Sequence, residues 1–289
     1  MRAAVAGFFF ILLFGTGGFG LPGASSGEET RPVFRPPLTD VPFDKGEIDS
    51  DRCIARGDET RSVISRCTYG RKKSGRKVVL FGDSHALQYG PAMIRIAEKR
   101  GWRLIALTRQ SCVAASVWYE PTCDAWREDA LDKIRRIRPD LVVISTGTIG
   151  RYRVTRFGKQ LTRRQSEPFL TRGMVRTLNR IRRSARQVAV IRDQSVAPFM
   201  PQDCLAEKSK EECGFRVRNR DIRGPFDAKA ARRVSRVKLI DPIRKLCPAG
   251  YCPAVIRGNL VVYRDDYHLT ATYAKTLAPW LIRRLPRLG

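Results

Sequence analysis

Short, β-branched apolar runs alternating with longer segments of helical period constrain this chain more than any other feature. The runs are residues 77–81 (KVVLF), 103–107 (RLIAL), 140–145 (DLVVIS), 187–191 (QVAVI) and 237–240 (VKLI). Each is too short for a helix and apolar at successive positions, the pattern of a strand buried on both faces. Residues 87–100, 126–138, 169–185, 225–236 and 270–285 carry apolar side chains near helical spacing. Strand and helix in alternation predict an α/β fold, a three-layer α/β/α sandwich around a doubly wound parallel sheet. In such a sheet the functional residues are expected outside the carboxyl ends of the strands. A length of 289 residues holds one sizeable domain or two small ones, and because the alternation starts at residue 77 a single domain is expected over 77–289.

Two different segments precede it. Residues 1–26 begin with Arg2, run through an apolar stretch centred on Phe8 to Phe14 and end in small residues, the pattern of a secretory signal peptide. Ala24 and Ser26 fit cleavage before Gly27; the alternative is an uncleaved signal anchor, which Gly15, Gly17, Gly18 and Gly20 disfavour by weakening the segment as a helix. Residues 27–76 are rich in proline, glycine and charge and read as an extended lead. An extracytoplasmic location is therefore expected, secreted, periplasmic or membrane-anchored facing outward.

The eight cysteines fit that export. They occur as near neighbours in turn-rich segments, Cys53 with Cys67, Cys112 with Cys123, Cys204 with Cys213 and Cys247 with Cys252, and local disulfides in these pairs are expected. No metal site is expected, since CxxC spacing is missing and the chain has only two histidines.

Charge is the other unusual property. Lys and Arg number 55 against 28 Asp and Glu, a net +27. Such a surplus suggests nucleic acid, an anionic membrane or an acidic polymer as partner. The basic residues are scattered through RRIRP (135–139), RIRRSAR (180–186) and AARRVSR (230–236) without a zinc finger, helix-turn-helix or RNA-binding aromatic block. Specific nucleic-acid binding is not expected. With export, the surplus reads as affinity for anionic lipid headgroups or envelope polymers.

The loop after the first strand reads LFGDSHALQYG (80–90), which places Gly82, Asp83, Ser84 and His85 where strand passes into helix. A serine there projects its hydroxyl at the sheet's edge and offers its N–H at a helix N-terminus, where an oxyanion is stabilised. By itself the block is a weak signal, and an ordinary glycine turn with Asp83 or Ser84 as N-cap is the plainer reading of these residues. The second histidine, His268, lies in YRDDYHLT (263–270) before the last helix, with Asp265 three residues ahead of it. That spacing lets the carboxylate accept from the ring nitrogen facing away from a serine; a polar turn capped by Thr270 is the alternative. Together the two blocks fit the chain order serine, aspartate, histidine.

These residues resemble the SGNH hydrolase superfamily and, more closely, the SGNH domain of acyltransferase-3-type surface-polysaccharide O-acyltransferases. GDSHA (82–86), YRDDYHLT (263–270) and the cysteine pair in LCPAGYC (246–252) carry the resemblance, which spans roughly residues 50–285. It implies a flavodoxin-like sandwich, Ser84 as nucleophile, His268 as general base, Asp265 as its orienting partner, and no cofactor. The loops where SGNH enzymes carry glycine and asparagine blocks read TRQSC (108–112) and STGTIG (145–150), without that glycine or asparagine. The Ser84 N–H, with Gly147 or Thr148, is then the expected oxyanion donor, and His85 either binds substrate or packs.

The reading that follows is a serine esterase or O-acyltransferase moving a small acyl group, acetyl by expectation, on a cell-surface or cell-wall glycan. It works alone or beside a membrane acyltransferase subunit. The competing reading is a non-catalytic, basic binding module for an anionic envelope polymer on the same scaffold.

Overall fold

The computed structural model describes residues 32–148, 152–156, 158–218 and 225–288. The expected leader over 1–26 lies outside them. The sheet contains β1 (Ile54–Ala55), β2 (Thr68–Gly70), β3 (Lys77–Gly82), β4 (Arg103–Arg109), β5 (Leu141–Ser145), β6 (Gln187–Ile191) and β7 (Val237–Ile240). Its order is β1-β4-β3-β5-β6-β7, and β2 joins the same edge of β4 as β1, opposite Arg103 to Ile105. Every pairing in that order is parallel; β2 alone runs antiparallel, with Tyr69 opposite Leu104. This is the expected doubly wound parallel sheet.

The apolar runs are continuous because the sheet is covered twice. Val78 and Leu80 of β3 pack with Met93, Tyr273 and Leu281 on one face, whereas Val79 and Phe81 pack with Trp126, Ile134 and Leu178 on the other. Period-2 alternation sends neighbours to opposite cores, so both must be apolar. Each such side chain contributes roughly 1.5–3 kcal/mol when fully buried.

Helices α1 (Ser84–Leu87), α2 (Gly90–Arg100), α3 (Pro121–Ile137), α4 (Arg163–Arg182) and α5 (Phe226–Arg233) connect the strands. The expected helix over 270–285 is two pieces, α6 (Ala271–Thr276) and α7 (Ala278–Ile282), since Pro279 in the first turn of α7 lacks the N–H that would continue the ladder. Helix α4 begins six residues ahead of its apolar pattern, because Thr162 and Gln165 form a capping box before the amphipathic stripe starts.

The lead expected over 27–76 is not simply extended. Its residues in β1 and β2 cover the outer edge of β4, and residues 33–289 form one compact unit. The Cys53–Cys67 bridge stands immediately before both strands and ties them together where they meet end to end along that edge. Strands of two and three residues show no period, so composition alone reads as lead. Cys112–Cys123, Cys204–Cys213 and Cys247–Cys252 are bonded as expected. Among the described residues no helix is long and apolar enough to cross a membrane.

Candidate active site

Strand β3 hands over to α1 through a turn that only glycine allows. Gly82 has φ +146°, and a Cβ there would stand 1.9 Å from the carbonyl oxygen of Ser145 on β5. Asp83 is the N-cap of α1, its Oδ1 accepting from the His85 N–H at 2.8 Å. Ser84 is therefore the first helical residue. Its N–H belongs to the first turn, whose donors lack intrahelical acceptors.

The chain returns to this point 184 residues later. Tyr263 bridges Leu269 across a tight turn in which Asp265 Oδ1 accepts the N–H groups of Tyr267 (3.0 Å) and His268 (2.6 Å). The other carboxylate oxygen meets His268 Nδ1 at 2.8 Å, and His268 Nε2 lies 2.8 Å from Ser84 Oγ. Asp265, His268 and Ser84 thus form one hydrogen-bonded line. Thr270 also caps α6, accepting from the Tyr273 N–H, so the capping alternative is true of the same loop without displacing the triad.

Two glutamines hold the turns together. Gln88 and Gln194 exchange amide hydrogen bonds at 2.9 and 3.0 Å; Gln88 Oε1 also accepts from the Leu269 N–H, and Gln194 Nε2 donates to the Tyr267 carbonyl. Neither glutamine stands out in the sequence.

The loop after β5 does not offer the donors expected of it. The Gly147 N–H donates to Asp83 Oδ2 at 2.8 Å, and the Thr148 N–H to Asp193 Oδ2 at 2.7 Å. Asp83 Oδ2 also accepts from the Thr146 and Tyr152 hydroxyls, so a buried carboxylate holds this loop by its donors. Both N–H groups are spent because a buried anion left unpaired costs more than any N–H aimed at empty space gains.

His85 turns inward. Its Nδ1 makes an ion pair with Asp193 Oδ1 at 2.6 Å, its ring lies 4.9 Å from that of His268, and it lines one pocket with Ser84, His268, Tyr119 and Tyr152. The close approach needs Gly147, where a Cβ would stand 3.0 Å from the His85 Nε2. Asp193 escaped the motif reading, although its position two residues past β6 places it among the carboxyl-end loops where site residues gather.

The two histidines are pushed in opposite directions, His268 toward the neutral ring and His85 toward the cation. Burial drives His268 down to about 3, with the charges of His85 and Arg264 adding to it and the Asp265 hydrogen bond opposing it. Burial also works against protonated His85, but the charge and hydrogen bond of Asp193, helped by Asp83 and Asp265, raise it to about 9. Burial alone would raise Asp265; its bonds to His268 and the nearby Arg264 hold it down at about 2. A neutral imidazole beside a hydroxyl, oriented by a carboxylate, can accept the hydroxyl proton.

The fold has relatives of matching architecture. The chain covers 97% of the periplasmic domain of a lipopolysaccharide acetyltransferase from Salmonella ser. Paratyphi A, using 84% of its own length, at TM-score 0.62 and 14% identity. A catalytic mutant of an acetylxylan esterase from Geobacillus stearothermophilus matches at TM-score 0.42 and 14% identity, over 74% of this chain and 95% of that one. No curated protein sequence matches. The profile described as "SGNH domain (fused to AT3 domains)" matches residues 52–283, and with well over half of the sequence inside that match the chain belongs to the SGNH domain family.

Proposed function

We propose that the protein is a serine esterase or O-acyltransferase that moves a small acyl group, acetyl in the first instance, to or from a hydroxyl of an extracytoplasmic glycan. The observation that carries this is the unbroken line from Ser84 Oγ through His268 to Asp265. Ser84 attacks the ester carbonyl as its proton passes to His268 Nε2. The tetrahedral oxyanion accepts from the Ser84 N–H and from His85, whose imidazolium faces the same pocket. Collapse expels the alkoxide, which takes the proton from His268 and leaves acyl-Ser84. Water or a sugar hydroxyl then gives its proton to His268 and attacks the acyl carbon, and collapse of that intermediate returns the proton from His268 to Ser84 Oγ, freeing the acid or the acylated sugar.

The resemblance to a lipopolysaccharide acetyltransferase domain supports acetyl as the group and a cell-surface glycan as the acceptor. The fusion of related domains to AT3 domains supports a membrane acyltransferase subunit as the source of the acyl group. The net +27 favours work close to an anionic membrane surface.

A fluorophosphonate probe tests the nucleophile: folded wild-type protein labels and Ser84→Ala does not. Turnover of p-nitrophenyl acetate that needs both Ser84 and His268 removes the pure binding-module reading. A folded wild type that neither labels nor turns over removes the enzymatic one.

A further inference from the structure

We propose that Arg264 and Lys45 form a subsite for an anionic group on the sugar that carries or receives the acyl group. This rests on the functional reading above and names its substrate class. Both residues line the pocket that holds Ser84 and His268.

Arg264 is only 6% exposed. Its ion-pair partner Asp265 stands 3.7 Å from Nη1, beyond hydrogen-bond reach, and its Nε has no hydrogen-bond partner among the described residues. Asp265 has little left to offer, since its oxygens already accept from His268 Nδ1 and two backbone N–H groups. The backbone N–H of Arg264 donates to the His268 carbonyl and closes the triad turn, so the side chain starts from a fixed root beside the reacting groups.

A largely buried guanidinium with its Nε unpartnered and no close carboxylate is costly, and a carboxylate or phosphate supplied by a ligand offsets that cost with charge-assisted hydrogen bonds. Burial is the main cause that pulls the Arg264 pKa below its usual value, the same desolvation that an anion would relieve. Lys45 supplies a second cation with no ion pair to another described residue. The other pocket cations are already matched, His85 by Asp193. Arg56 pairs with Asp49 and also bonds Gln110. A uronic acid carboxylate and a sugar phosphate present the same chemistry to this pair of cations, with the ester held at Ser84.

Ligand binding to Ser84→Ala protein, which cannot turn over, tests this. The probes are an O-acetylated oligogalacturonate, the same oligosaccharide with its carboxyls methyl-esterified, and an O-acetylated glucose phosphate. The acid form is expected to bind at least tenfold more tightly than its methyl ester. That ratio collapses to near one when Arg264→Gln is added and falls severalfold with Lys45→Gln, whose half-exposed position spares the fold. The phosphate arm shows which anion is preferred. A merely structural Arg264 would weaken acid and ester alike and leave the ratio standing, which overturns the proposal. Equal binding of acid and ester, or no binding of either, overturns it too. Failure of wild-type protein to label at Ser84 is a separate result and bears on the enzymatic reading alone.

Discussion

Two His–Asp pairs stand side by side at the carboxyl edge of the sheet and behave in opposite ways. In one, Asp265 reaches His268 Nδ1 at 2.8 Å; in the other, Asp193 reaches His85 Nδ1 at 2.6 Å. Yet His268 is held neutral and His85 charged. Contact with a carboxylate therefore does not decide the matter. Asp265 divides its oxygens among the imidazole and two backbone N–H groups, beside the Arg264 guanidinium, and His268 also faces the His85 cation. Two imidazoliums 4.9 Å apart cannot both persist in a buried site, so the proton settles on the ring with more negative charge around it. In the proposed reaction the pairing supplies a base and a positive donor from two residues of one type.

Asp193→Asn should break the comparison most severely. His85 then loses its counter-charge and deprotonates under its own burial. A roughly 100-fold fall in kcat at pH 8 is expected, the order of losing one oxyanion donor, with the alkaline limb of the pH–rate profile moving from near 9 to below 7. The sign for stability agrees: a histidine whose folded pKa is raised stabilises the fold fully below its ordinary value of about 6.5. That contribution is lost as pH rises through about 9, so Tm of the wild type falls across this window and Tm of the variant does not. An alkaline limb unmoved by the substitution would mean that Asp193 does not set the charge of His85.

His85→Gln should give a smaller effect, about tenfold in kcat, because an amide still donates to the oxyanion. Its sharper mark is on the other pair. With the neighbouring cation gone, the acid limb of kcat/KM climbs from about 3 toward the ordinary histidine value, burial still holding it below that value. Gly147→Ala should do least. The new methyl meets the His85 ring at 3.0 Å, and the overpacking costs about 1 kcal/mol, read as a modest drop in Tm with the limbs nearly in place.

Much of the fold was legible because burial on both faces makes a strand apolar throughout. The strands over 187–191 and 237–240 begin and end where the apolar runs do. Helix starts were less legible, since caps such as Thr162 and Glu120 are polar residues that precede the stripe. The hydrogen-bonded line of Ser84, His268 and Asp265 was legible in GDS and DxxH because each block is local. Asp193, Gln88 and Gln194 could not. Their contacts join residues up to 181 positions apart, and no short window of sequence contains both partners. The oxyanion expectation for Gly147 and Thr148 erred for a related reason, as the buried carboxylates that claim their N–H groups come from other strands.

The paired glutamine amides also bear on how the chain reaches its working form. Gln88 follows the third strand, Gln194 the sixth, and the backbone they grip belongs to the final turn. Ser84 and His268 consequently meet only after nearly the whole topology has closed, a contact of very high sequence separation and thus a late one. Regain of Ser84 reactivity during refolding should trail every signal of secondary structure, and it would serve as a readout of the last step of assembly.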